Sequence, residues 1–378
     1  MAFGRAARLF DAAGAARRLP ASALFALGPS APGLALRRGA LVGIPVGLAL
    51  AVELGLDAPT KGAIATGALL AGFAGLDAPA HTRAAWQLAA APAIGLAAAL
   101  GALTGSSPAL AIPALALVGS LAGYCFSVSL RFAVLAQMTA MTMLIVQGLP
   151  IGPADAPQAL LWALAGGLLQ AGFSFCVWVG RGRRREEEEM SWSAAATRRA
   201  LAASLTPSSP DFRHAVRVGV GLAAGVALYW LLDMRTHGFW IPMAILFILR
   251  PDRGETSRRS ILRAIGTAVG LVLATALSYW LHDDGLALAI AFFVATALAY
   301  GLLNVQYALF SVAITTYAVL LADTLGAPAL AAAGQRTVAT ALGIGVALAT
   351  FLLWPNPSEG RWIGVSRGHP RTPEAAAR

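Results

Sequence analysis

The chain has 378 residues, of which 58% are hydrophobic and only 12% charged, and its mean hydropathy is +0.69. Soluble chains carry about a quarter charged residues, so a water-soluble globular fold is excluded. The net charge of +10 does not mark a nucleic-acid binder, because the arginines are confined to loops and helix ends, where membrane topology puts them. Cys125 and Cys176 lie inside apolar runs and read as small packing residues. The sequence shows no zinc or disulfide spacing, no Ser/His/Asp set and no phosphate loop. Neither an enzyme nor a metal or cofactor is expected.

In chain order, residues 1–36 form an amphipathic start with Arg5, Arg8, Arg17 and Arg18 beside Leu9, Phe10 and Leu19. Few acids and many arginines also suit a transit peptide, but a cytoplasmic helix lying on the membrane surface is the preferred reading. Six apolar segments follow, at about 39–54, 62–76, 85–104, 108–126, 130–148 and 157–180. A charged linker, 181–211, holds Arg183–Arg185, Glu186–Glu189, Arg198 and Arg199. Its Arg/Glu run reads as the solvated start of a cytoplasmic helix. Six more segments lie at about 213–232, 238–250, 262–281, 285–303, 305–322 and 336–354. The tail, 356–378, is rich in Pro, Gly and Arg and is expected to be disordered. The apolar runs are continuous and lack period-2 alternation, so they are helices rather than barrel strands.

The halves 37–180 and 212–355 echo each other. Leu36-Arg37-Arg38-Gly39-Ala40 opens the first as Phe212-Arg213-His214-Ala215-Val216-Arg217 opens the second. Gly43 and Gly47 recur as Gly221 and Gly225, and Asp77, Arg83 and Gly95 recur 175 residues later as Asp252, Arg258 and Gly270. The predicted fold is therefore an all-α membrane protein of about twelve transmembrane helices, arranged as two parallel six-helix repeats. With the N-terminus inside, the inner loops receive Arg83, Arg131, the 181–217 cluster, Arg250, Arg253, Arg258, Arg259, Arg263 and the tail arginines. Only Lys61, Arg235 and Arg336 fall outside, together with Asp57, Asp155, Asp233, Asp283, Asp284 and Asp323. Basic loops stay inside, so both termini are expected in the cytoplasm.

The second segment of each half is short. Residues 238–249 give about 18 Å of helix against a hydrocarbon core of about 30 Å. Residues 62–76 carry Gly62, Gly67, Gly72 and Gly75, and Pro242 adds a break in the second copy. Short or broken segments at matching places point to a transport site; a helix completed by its polar flanks is the plainer alternative. Arg263 and Arg336 each begin a packed helix in this reading, with Thr267 and Thr340 one turn on and on the same face. Such an arginine either holds a carboxylate bidentately or snorkels to anchor a helix end. Gly266 with Gly270, and Gly221 with Gly225, are Gly-x-x-x-Gly pairs that read as helix-packing positions. His237 titrates near neutrality and stands at the outer start of the short segment beside Trp240, either as a proton-coupling group or as an interfacial residue. Trp230, Tyr279 and Trp280 read as interface-belt residues.

The stretch from His237-Gly238-Phe239-Trp240-Ile241-Pro242 to Arg250-Pro251-Asp252 resembles the second span of fusaric-acid-resistance, or aromatic acid exporter-like, domains. Arg263-Ala264-Ile265-Gly266-Thr267-Ala268-Val269-Gly270 resembles that family's Arg-x-x-Gly-Thr-x-x-Gly element. The Arg336–Gly343 segment and Trp354-Pro355 resemble its closing helix. The resemblance covers 213–355 and extends loosely over 37–180, where no arginine matches Arg263 or Arg336. It implies a secondary exporter of small, aromatic or amphipathic organic carboxylates in a bacterial inner membrane. Export would be proton-coupled and work by alternating access. Tentative substrate contacts are Arg263, Thr267, Arg336, Thr340, Trp240 and His237, with Gly221, Gly225, Gly266, Gly270 and Gly343 packing helices. The implied partners are the small organic anion, the lipid bilayer, a periplasmic adaptor and a second copy of the chain. Two rival readings remain, a passive organic-anion channel and a membrane scaffold whose basic linker docks anionic lipid.

Overall fold

The computed structural model describes residues 32–55, 62–182, 197–198, 201–202, 204–234, 238–281, 284–327 and 329–353. Most of the amphipathic start, the Arg183–Glu189 run, His237, Trp354, Pro355 and the 356–378 tail lie outside the described residues. Among the described residues there is no strand. The first half contains α1 (Pro32–Gly55), α2 (Ala63–Gly72), α3 (Ala80–Thr104), α4 (Pro108–Tyr124), α5 (Leu130–Gln147) and α6 (Ala156–Gly180). The second contains α7 (Pro210–Leu231), α8 (Trp240–Ile248), α9 (Arg253–Leu281), α10 (Gly285–Leu302), α11 (Tyr307–Thr324) and α12 (Ala329–Leu353).

Local signals set several of these starts. Pro108 and Pro210 open α4 and α7, where a missing N–H costs nothing. The Ser129 hydroxyl accepts from Phe132 N to cap α5, Asp284 from Ala287 N to cap α10, and Gln306 from Ala308 N to cap α11. All twelve apolar segments are helical, but among the described residues ten rather than twelve helices are long and apolar enough to cross a bilayer. The exceptions, α2 with ten residues and α8 with nine, are even shorter than the sequence suggested.

The two halves use the same packing scheme. In the first, α3 packs on α6 and α5, and α2 packs on α6; in the second, α9 packs on α12 and α11, and α8 packs on α12. The opening helix of each half instead leans on the fourth helix of the other, α1 on α10 and α7 on α4. Small residues make these crossings close, as lipid-embedded helices require. A Cβ on Gly39 would run into the backbone of Ala297 and Gly301, and one on Gly123 would sit 2.8 Å from the Ala215 Cα. The same glycine contact appears on both short helices at an offset of 177 residues: Gly166 lies against the Ile64 carbonyl and Gly343 against that of Ile241.

This geometry corrects the sequence register of the repeat. Gly43 faces α10, as expected for an opening helix, but its functional counterpart in α7 is Gly219, which faces Ala116 and Ser120 of α4. Gly221 and Gly225 turn the other way, toward Ile245 and Pro242 of α8. In a run as glycine-rich as 219–225, spacing alone does not say which glycine meets which neighbour.

Candidate functional site: a buried arginine pair on a broken helix

Helix α8 is completely buried, all nine residues from Trp240 to Ile248. At 1.5 Å per residue it spans about 13 Å, less than half of a bilayer core. It is enclosed by α7, α12, α9 and α5. Pro242 does not break it, contrary to the sequence reading, because it lies in the first turn, where no backbone donor is needed. The helix ends where Leu249 turns extended, at φ −67° and ψ 127°. Thr256 then stitches the exit: its hydroxyl accepts from Arg250 N at 2.9 Å and donates within the same turn to the Asp252 carbonyl. The Asp252 carboxylate accepts from Glu255 N at 2.7 Å, which starts α9 directly after the Arg-Pro-Asp exit.

That early start relocates both candidate arginines. The sequence placed Arg263 and Arg336 at helix beginnings. In the structure Arg263 follows the first residue of α9 by ten positions, and Arg336 follows that of α12 by seven. The polar turn Arg253–Arg259 read as loop, yet it is helical and held by Glu255, which pairs with Arg258 at 2.8 Å and Arg259 at 2.7 Å. Arg263 and Arg336 are therefore one helical segment deeper than expected, and they are 0% and 1% exposed.

Both guanidinium groups rest on aromatic rings of α8. Arg336 lies 5.0 Å from the Trp240 ring and Arg263 lies 5.2 Å from the Phe247 ring. Arg336 Nη1 also approaches Met243 Sδ at 3.4 Å. Positions 240, 243 and 247 share one helix face. Tyr307 sits beside Arg263, its neutral hydroxyl within polar reach of the guanidinium but outside strict hydrogen-bond geometry, and it donates to the Phe247 carbonyl at 3.2 Å.

Among the described residues, neither arginine joins an ion pair. Hydrogen-bond geometry leaves Arg263 Nε, Nη1 and Nη2 unmatched, along with Arg336 Nε and Nη2. The nearby carboxylate, Glu255, is engaged with Arg258 and Arg259. Each ring contact contributes about 0.5–2 kcal/mol. An uncompensated buried charge costs several kcal/mol. Neither ring contact offsets that cost for Arg263 or Arg336.

Buried hydroxyls extend the site. Thr267 and Thr340, one turn beyond each arginine, are 3% and 4% exposed. Ser311 and Thr315 of α11 also face α9, and the sequence reading missed them. A Cβ on Gly266 would press on Ser311 at 2.5 Å, and one on Gly270 on Thr315 at 2.9 Å. The Thr267, Ser311 and Thr315 hydroxyls are buried without a hydrogen-bond partner. Their i, i+4 spacing inside an apolar run was the available signal, along with the facing glycine pair. Met243, Phe247 and Tyr307 were also missed, because an apolar or aromatic residue in an apolar helix carries no distinguishing mark.

A second basic cluster closes the C-terminal end of α8. His214, fully buried in α7, meets the Phe126 ring edge-on at 5.0 Å, and Arg250 lies 5.7 Å from the same ring. Arg217 lies 4.3 Å over Phe351. The short helix of the first half meets the opposite charge: Glu53 of α1 is 4% exposed and accepts from Ile64 N and Ala65 N at 3.1 Å, capping α2, while buried Arg83 at the start of α3 approaches the Ala78 carbonyl at 3.5 Å. At the 177-residue offset, Ala159 and Ala163 stand where Arg336 and Thr340 stand in the second half.

With ten bilayer-length helices among the described residues and buried charge against a short one, the chain is a polytopic membrane protein. The family model described as fusaric acid resistance protein-like matches residues 210–350. The inner membrane protein YccS of Escherichia coli (strain K12) is 32% identical over 157 residues, which cover 41% of this chain and 22% of that protein. The uncharacterized protein slr1298 of Synechocystis is 31% identical over 153 residues, 40% of this chain and 20% of the relative. The uncharacterized protein ORF2 of Neisseria gonorrhoeae is 28% identical over 161 residues, 42% of this chain and 38% of the relative. The shared stretch thus spans well under half the length of each of these relatives. No solved structure matches the chain.

Proposed function

We propose that the protein is a secondary transporter that exports small organic carboxylates, aromatic ones among them, across a bacterial inner membrane. The observation that carries this reading is the pair Arg263 and Arg336, both buried, both without a carboxylate among the described residues, and both seated on the short helix α8. Guanidinium groups bind carboxylates bidentately and strongly where water is excluded. Trp240 and Phe247 supply flat apolar surface for the body of the same molecule.

The matched packing of the two halves and the 177-residue offset support two six-helix repeats related by an axis along the membrane normal. The inward bias of arginine supports cytoplasmic termini. Export then proceeds by rocking one repeat against the other around α8, with a proton gradient as the energy source.

The test is uptake of a panel of aromatic carboxylates into inverted membrane vesicles, with Arg263→Ala and Arg336→Ala alongside. Transport that needs the gradient and both arginines is expected. Uptake that survives collapse of the gradient would make the protein a channel instead. Flat uptake for every acid would remove the transporter reading.

A further inference from the structure

We infer that the α8 site is built for a dianion, a molecule carrying two negatively charged groups at opposite ends of a short rigid body. This rests on the transporter reading and adds the charge of the ligand to it.

The starting point is the number of uncompensated cations. Arg263 and Arg336 are both buried to within 1% of full burial, and neither pairs with an acid among the described residues. A monocarboxylate neutralises one guanidinium and leaves the other unpaired in a dry environment. Two carboxylates neutralise both. Placement makes the pair addressable by one molecule. Arg336 stands over Trp240 and Arg263 over Phe247. These rings lie on one face of α8 two turns apart, about 10 Å along its axis. Met243 lies between the two rings and touches Arg336, so a molecule that reaches both guanidiniums would displace its flexible side chain. The unpartnered hydroxyls of Thr267, Ser311 and Thr315 lie on the Arg263 side of the site, so they would serve the carboxylate held by Arg263. Among the described residues no acidic side chain pairs with either arginine; Glu255 is taken by Arg258 and Arg259, and Glu53 caps α2 in the other half.

The test compares three ligands of one scaffold: benzoate, terephthalate and the monomethyl ester of terephthalate. The ester keeps the size and shape of terephthalate but has one charge. Affinities for the purified full chain are read from the ligand-dependent shift in its thermal unfolding midpoint. A second desolvated charge-assisted pair corresponds to about ten- to a hundredfold in affinity, so terephthalate should bind tighter than its ester by that factor. In Arg336→Gln, and separately in Arg263→Gln, terephthalate should fall to the level of the ester while the ester still binds. Arg336→Lys, which keeps the charge, should retain part of the preference. Equal binding of ester and terephthalate to the unmodified protein overturns the inference, as does a preference that persists in both glutamine variants. Vesicle uptake of benzoate without any dianion preference would overturn only this inference and leave the transporter reading standing. Absence of binding by all three ligands, together with flat vesicle uptake, would overturn both.

Discussion

The two halves share a packing plan but not a chemistry. Each has a short second helix with its sixth helix crossing it at a glycine, Gly166 on α2 and Gly343 on α8. Around α2 the buried charge is negative and satisfied, with Glu53 accepting two backbone N–H groups. Against α8 it is positive, and Arg263 and Arg336 have no carboxylate among the described residues. Alanine fills the first-half positions that correspond to Arg336 and Thr340. The lesson is that a duplicated scaffold keeps its backbone contacts while its interior charges diverge. Small residues are demanded by helix approach, whereas buried arginines are tolerated only where something compensates them.

The sharpest way to break this comparison is to remove the cations. The double variant Arg263→Gln/Arg336→Gln should reduce carboxylate transport in vesicles by about a hundredfold or more, the loss of two charge-assisted pairs. Gln87→Leu in α3, which replaces a fully buried and unmatched amide of the first half, should leave transport within about twofold. Comparable losses from both would mean that the first half also carries the ligand.

A second prediction concerns stability. Arg336→Met removes an uncompensated buried charge and fills its space with an apolar chain, so the folded protein should gain about 1–4 kcal/mol. The readout is a higher thermal midpoint in detergent without ligand. A lower midpoint would show that the charge is matched in the native protein. Conversely, the glycine crossing should be intolerant. A Cβ at Gly343 would lie 2.7 Å from both the Ala244 Cβ and the Ile241 carbonyl, so Gly343→Ala should cost about 1–3 kcal/mol. Gly345, two residues on, has nothing within 4 Å. Gly345→Ala should be neutral or stabilise by up to about 1 kcal/mol, and similar midpoints for the two variants would refute the crossing. The smallest effect belongs to Glu53→Gln, which keeps one accepting oxygen but loses the charge at the α2 N-terminus. A loss of about 1 kcal/mol in unfolding free energy is expected, with transport retained once stability is matched.

Much of this was legible in the chain because bilayer physics is written locally. Twelve apolar runs became twelve helices, since lipid leaves the backbone no other partner, and the arginines at 263 and 336 were conspicuous because charge inside such runs is rare. Depth was harder to read. Arg263 looked like the first residue of a helix because Arg253–Arg259 is polar, and only the pairing of Glu255 with two arginines turns that stretch into the first turns of α9. The glycine register was misread for a related reason: Gly219, Gly221 and Gly225 are equivalent by composition, and only neighbouring helices distinguish them.

The sequence by itself therefore determined the membrane class, the helical segments, the two short helices and the identity of the buried cations, because hydropathy and charge act residue by residue. The tertiary structure alone decided which ring lies under which guanidinium, which hydroxyls of α11 join them and which acid is unavailable to neutralise them. Those relations depend on helices far apart in the chain meeting at α8, and no local pattern encodes where two helix faces will touch.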